Sequence, residues 1–180
     1  MLSLDEMIAQ HLMDPGSDPF AAHGLDSATL HLRHDQRTLS DGLGNALSQT
    51  YAFNAAAVLL LEPAAQSIRR DPMGLRARFE SRQQAIESAL SLLAFTKQQQ
   101  VPATISIGWG WTVLLPENDW ISAECYRARR LAELGKQHEI TMTQAVSAQL
   151  VLPDGVGIFE AKREQSIRIG FPFWIMRDYR

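Results

Sequence analysis

With one cysteine, Cys125, the chain of 180 residues cannot close an intramolecular disulfide, so stability has to come from a packed core. That usage suits a reducing compartment, and a buried, inert thiol is the ordinary expectation for a lone cysteine in a helix. No apolar run approaches the ~18 residues that a membrane span requires. The opening Met1-Leu2-Ser3-Leu4-Asp5-Glu6 lacks the basic and then apolar profile of a signal peptide, which predicts a soluble, cytoplasmic protein. An excess of one charge is missing too: the formal net charge of −3 gives no overall reason to bind nucleic acid or an anionic membrane. Repeats and low-complexity segments are absent, Gln98-Gln99-Gln100 being too short to count. Gly108-Trp109-Gly110 is not followed by the helix start that would make it a phosphate loop.

What is present is an ordinary globular composition, 46% hydrophobic and 21% charged, enough for one domain with a sizeable core. Leu4, Met7, Ile8 and Leu12 recur at helical spacing and predict a short arm over residues 1–27, ahead of a domain over 28–180. Residues 28–34 alternate as a strand, with Leu30 and Leu32 on one side and His31 and Arg33 on the other. Ser40 or Asp41 can cap a well-covered helix in which Leu43, Leu47, Tyr51, Ala55 and Val58 keep near four-residue spacing, ended by Pro63.

Residues 67–70 and 75–79 form a hairpin about Asp71-Pro72-Met73-Gly74, with Leu75, Ala77 and Phe79 inward and Arg76 and Arg78 outward. Ser81 opens a helix buried through Ile86, Ala89, Leu90 and Leu93. A strand over 103–108 continues as a second extended piece over 109–115. Next comes the segment around which the chain is organised, a helix from Cys125 to Gly135 with Ala128, Leu131, Ala132 and Gly135 on one face. Gly135 suits a left-handed cap, and Ile140-Thr141-Met142-Thr143 reads as a strand. A short helix capped by Thr143 through Leu150, and strands over 157–160 and 166–176, complete an α+β sandwich with helices on one face of a mixed sheet.

The helix at 125–135 with its following strand resembles the C-terminal part of the class III adenylate/guanylate cyclase homology domain, where a helix ending Ala-Ala-Arg-Leu precedes a strand like Ile-Leu-Val-Ser. Gly74 to Phe79, followed by a helix with Ala85, Ala89 and Leu90, is similar to that family's second hairpin and alanine-rich helix. The resemblance covers residues 28–176, is clear from Ala85 to Leu150, and is thin before Phe79. It implies a ferredoxin-like, cyclase-type mixed sheet, and sites shared between the two protomers of a dimer. The family's chemistry is an in-line attack of the ribose 3′ oxygen on the α-phosphorus. That step calls for alignment and charge neutralisation by two aspartates holding Mg²⁺ or Mn²⁺, an asparagine, an arginine, and a purine-reading lysine with an aspartate or threonine.

Carried over residue by residue, the first metal aspartate falls at His34 or Asp35 depending on register, and Asp35 serves equally well as a turn cap. The second Gly-Asp pair becomes Pro72-Met73. A thioether does not bind a hard cation that takes oxygen ligands, and Asp71, two residues earlier, is the alternative donor. Arg69 stands at the lysine position and Asp119 is a candidate partner for the base. Tyr126 replaces the ribose-orienting asparagine, and Arg130 matches the transition-state arginine, or else pairs with Glu133 or Glu124. Trp109 and Trp111 offer a stacking platform or, more simply, packing, and the aromatics of Phe171-Pro172-Phe173-Trp174 suit a strand packed on one face. His31 and His34, three apart on a strand, point to opposite faces and make no metal site. Arginines 69, 70, 76 and 78 on the hairpin and 127, 129 and 130 on the helix would form an anion surface if the two adjoin.

With one metal carboxylate and the asparagine replaced, the expectation is a catalytically inactive, cyclase-like regulatory or binding module in signal transduction, acting as a homodimer without metal. The alternatives are a divergent cyclase that uses Asp35, Asp71 and Arg130 with Mg²⁺ or Mn²⁺ on ATP or GTP, and a module that binds a nucleotide or another anion without turnover.

Overall fold

The structure is a computed structural model that describes residues 2–179 apart from Pro15, Ser17, 35–42, Pro72, Met73 and Gln149. The cap at Ser40 or Asp41, the candidate metal ligand Asp35, and Met73 therefore lie outside the described residues.

Helix α1 (Leu4–Met13) starts in a capping box, with Glu6 N donating to Ser3 Oγ at 3.2 Å and Ser3 N donating to Glu6 Oε2 at 2.7 Å. Met7 is fully buried and anchors it. Strand β1 (Gly24–His34) begins at Gly24, not Ala28. It pairs antiparallel with β3 (Gly74–Phe79) on one side and β4 (Ala103–Leu115) on the other. Outside β3 lies β2 (Ser67–Asp71). Beyond β4 come β6 (Ile140–Thr143), parallel to it, then β8 (Phe173–Asp178) and β7 (Val156–Glu160). The order is β2-β3-β1-β4-β6-β8-β7, with the short β5 (Asp119–Ile121) paired to the far end of β4. The α+β mixed sheet is thus as expected, and 103–115 is one strand.

Alternation along the strands splits the interior into two layers. Leu30, Leu32, Leu75, Ala77, Phe79, Ile105 and Ile107 join α2 (Leu43–Leu61) and α3 (Arg82–Gln98) in one core. The opposite face carries Thr29, His31, Thr104 and Ser106 and lies under α4 (Ala123–Leu134), so helices occupy both faces instead of one. A face of hydroxyls looks solvated in the sequence. Here it is buried because α4 presents Ala128 and Ala132, whose small side chains let Ser106 Oγ reach the Ala128 carbonyl (2.6 Å) and Thr104 Oγ1 the Ala132 carbonyl (2.5 Å).

Helix α2 buries Thr50, Phe53, Asn54, Ala57, Val58 and Leu61, while Leu47 and Tyr51 stand 56% and 68% exposed. Of the four-residue pattern Val58 is buried, but Leu47 and Tyr51 are not. Phe53 stacks on Phe95 of α3, and Asn54 Oδ1 meets His34 Nε2 at 3.1 Å, which fixes the helix's rotation. Gly135 is not left-handed: its φ is −67°, and its value is that a Cβ would lie 2.8 Å from the Leu131 carbonyl oxygen. Helix α5 (Gln144–Ser147) stops short of Leu150. The expected strand over 166–176 is helix α6 (Arg163–Ile169), ended by left-handed Gly170 at φ +97°, and then β8. In α6 Ile167 stands exposed and Ile169 is buried against Leu131, Ala161, Phe173 and Ile175. Among the described residues no helix is long and apolar enough to cross a membrane.

Candidate functional site

The β2-β3 hairpin ends against β1. Gly74 has φ +155°, and a Cβ there would lie 1.9 Å from the Leu32 carbonyl oxygen, so only glycine lets the strands approach this closely. Asp71, paired in register with Gly74, is thereby held at a cavity of about 170 Å³ that it shares with His31, Arg33, Arg129 and Glu133. Glu133 accepts from Arg129 Nε at 3.2 Å and lies 3.8 Å from Arg33. Its carboxylate is committed to arginines. Among the described residues no group of three or more His, Cys, Asp and Glu is placed to hold a metal. Among the described residues the hairpin brings the Asp71 carboxylate among guanidinium groups, with a methionine two positions on in the sequence, and these donors do not fit a pair of hard divalent cations.

Arg69 and Asp119 are brought to one place. The turn Pro116–Asn118 folds over β2, where the Glu117 carbonyl accepts from Arg69 Nη2 and the Asn118 carbonyl accepts from Ser67 Oγ. Asp119 Oδ1 accepts from Arg76 Nη2 at 2.6 Å and from Trp120 N at 2.8 Å. Arg76, expected to point outward into solvent, is the centre of this end of the molecule: its guanidinium lies 4.8 Å over the Trp120 ring and reaches the Trp120 carbonyl at 3.4 Å. Trp120 is fully buried, its Nε1 donating to Thr29 Oγ1 at 3.1 Å. Nothing in the periodicity marked Arg76 or Trp120. The only signal available was an aspartate-tryptophan pair just ahead of a helix.

His31 faces α4, with Nε2 3.5 Å from Cys125 Sγ, while His34 faces α2. The two histidines thus part to opposite faces, as alternation dictates. Burial, aided by the nearby Arg76 and Arg129, lowers the His31 pKa to about 4. Of the two arginine groups, Arg76 from the hairpin and Arg129 from α4 both act on His31. Burial also pushes the Cys125 thiol up, more than Arg76 pulls it down, so the thiol stays protonated and inert.

Helix α4 begins at Ser122, whose Oγ accepts from Cys125 N at 2.8 Å. Tyr126 is 69% exposed. Arg130, one turn on, donates from Nε to the Ile169 carbonyl at 2.8 Å, closing the C-terminal end of α6. Glu133 and Glu124, the acids considered as its partners, are taken by Arg129 and Arg127 instead. Trp109 is half-buried beneath the Arg82 guanidinium, 4.7 Å from the ring, and Trp111 lies over Gly24. Both pack.

No family model and no curated protein matches the sequence. Solved structures do. An adenylate/guanylate cyclase/hydrolase from Silicibacter pomeroyi superposes at TM-score 0.59 over 85% of this chain and 95% of its own, at 18% identity. Adenylate cyclases from Trypanosoma brucei in their monomeric state give 0.62 over 86% and 88%, at 10% identity. A non-canonical dimeric guanylyl cyclase domain of the RhoGC fusion protein from the aquatic fungus Blastocladiella emersonii gives 0.61 over 86% and 97%, also at 10% identity. The fold is that of the adenylate/guanylate cyclase catalytic domain, as the organising helix and its strand implied.

Proposed function

We propose that this cyclase-fold domain has lost metal-dependent catalysis and serves as a regulatory or binding module in signal transduction, as a homodimer. The observation that carries this reading is the engagement of three side chains that the resemblance makes candidates for base- and phosphate-reading groups. Arg69 is held by the Glu117 carbonyl, Asp119 by Arg76, and Arg130 by the Ile169 carbonyl. Methionine at position 73 and tyrosine at 126 add to it, because neither side chain does the chemistry of the aspartate or asparagine it replaces. Losing one ligand from a two-metal site costs several kcal/mol of transition-state stabilisation, on the order of a thousandfold in rate. The exposed Trp111, Ile121 and Tyr126 support pairing of two copies.

The test is a thermal-shift series with ATP, GTP and their cyclic products, alongside sedimentation equilibrium. A nucleotide at a hundred times its dissociation constant adds about 2.7 kcal/mol, which is roughly 5–10 °C for a domain of this size. No shift with any nucleotide and a monomeric sedimentation profile would remove the reading. A divergent cyclase acting through Asp35, Asp71 and Arg130 with Mg²⁺ or Mn²⁺ is the second reading, favoured by the exposure of Asp71 on the cavity at the hairpin end.

A further inference from the structure

The Gly108-Trp109-Gly110 segment serves a second cavity, on the other side of α4. A Cβ at Gly108 would stand 2.4 Å from the Glu124 carbonyl oxygen, and one at Gly110 2.8 Å from Glu124 Cγ. The two glycines therefore seat the first turn of α4 directly on β4. They lay the Glu124 side chain along the sheet, where it is only 14% exposed. Its carboxylate borders a cavity of about 420 Å³, lined also by Arg127, Thr143, Gln144, Phe171 and Pro172. That volume lies within the range of small-molecule sites.

Two of the residues lining this cavity each carry an oxygen with no partner among the described residues. Glu124 Oε1 accepts from Arg127 Nη1, but Oε2 is buried and unpaired. Thr143 is 4% exposed and occupies the residue position ahead of α5 where a threonine hydroxyl ordinarily caps. It makes no capping bond, and its Oγ1 is buried and unpaired. Leaving a buried polar group unsatisfied is destabilising, so two beside one cavity point to something that supplies them with hydrogen bonds. The charge is already balanced: Arg127 neutralises Glu124, which leaves little attraction for a cation, and the lone pairs of Oε2 repel an anion. A neutral N–H donor remains. The Phe171 ring, 5.8 Å from the Arg127 guanidinium, and Pro172 give such a donor a flat apolar wall.

We propose that this cavity binds a small, neutral, planar molecule bearing N–H donors, of the carboxamide or aminopyrimidine class, held by Glu124 Oε2 and Thr143 Oγ1. Titrating the ¹⁵N-labelled full chain with 2-aminopyrimidine, with benzoate and benzamidinium as charged controls, tests it. The expected result is saturable shifts of the Gly108, Gly110 and Thr143 amides with 2-aminopyrimidine, and at least tenfold weaker binding in both Thr143→Val and Glu124→Gln. Thr143→Val replaces an unpaired hydroxyl with a methyl of the same shape, so without probe its melting temperature stays level or rises. Four outcomes would each overturn the proposal: no saturable shift, undiminished binding in Thr143→Val, tighter binding of benzamidinium or benzoate, or a lower melting temperature of Thr143→Val without probe. The last would mean that water alone already satisfies the hydroxyl.

Discussion

Arg76 Nη2 donates to Asp119 Oδ1 at 2.6 Å while the same guanidinium lies 4.8 Å over the ring of Trp120. Through this one residue the β2-β3 hairpin is tied to the β4-β5 turn and to the start of α4, since Arg76 Nη1 also approaches Cys125 Sγ at 3.9 Å. The pair engages the Asp119 carboxylate in the packing of this end of the sheet.

Removing that tie should loosen the fold and free Asp119. Arg76→Ala loses a charge-assisted hydrogen bond and a cation–π contact, together about 2–3 kcal/mol. Urea unfolding of the variant is expected to show a lowered midpoint with an unchanged slope. An unchanged midpoint would mean that the contact is not formed in solution.

Acid should destabilise the protein through His31. Its ordinary pKa of 6.5 falls to about 4 in the folded chain, mainly through burial. Between those values the unfolded chain binds more protons, so stability is complete above about pH 6.5 and declines as pH drops towards 4, by roughly 3 kcal/mol over the window. His31→Leu removes the titrating group and should flatten this part of the curve. The check is to compare urea midpoints at pH 7 and pH 4.5 for both proteins. Equal slopes against pH would refute the assignment.

Two glycines should resist substitution for different reasons. Gly74→Ala meets both an unfavourable φ and the Leu32 carbonyl oxygen, and Gly108→Ala meets the carbonyl of Glu124. Each is expected to cost more than 2 kcal/mol. Gly16→Ala, whose nearest non-local atom is the Asp14 side chain at 3.4 Å, should change stability by less than about 0.5 kcal/mol. Thermal unfolding of the three variants separates these effects. A Gly108→Ala protein as stable as the parent would contradict the close contact of β4 with α4.

Arg130→Ala tests the structural use of that arginine. Losing the bond to the Ile169 carbonyl should lower stability by about 1 kcal/mol and increase hydrogen exchange in α6. Exchange in α6 identical to the parent would show that the arginine is not fastened there.

Much of this fold could be read from short-range pattern. The hairpin, the inward Leu75, Ala77 and Phe79, the strand at Ile140–Thr143 and the small-residue face of α4 follow from alternation, helical spacing and turn residues alone. What failed needed long-range knowledge. The stripe of α2 that is buried is chosen by Phe95 and His34, which come from other elements. Residues 166–169 have both strand-like alternation and a helical solution, and the left-handed Gly170 decides for the helix. The layer beneath α4 looked polar because its hydroxyls find partners only in the carbonyls of a helix distant in sequence. At the candidate site the sequence named Arg69, Asp119 and Arg130 but not what would hold them. Arg76 passed for an exposed strand residue because strand alternation takes no account of a partner some forty residues away.

The central claim, that a cyclase-type scaffold here no longer cyclises, is tested most directly by product formation. Purified protein would be incubated with ATP or GTP and Mn²⁺ or Mg²⁺, and cyclic nucleotide quantified by mass against a no-protein blank. The account predicts no product above the blank with either nucleotide or metal. Cyclic nucleotide that accumulates with the parent protein and disappears in Arg130→Ala would contradict it.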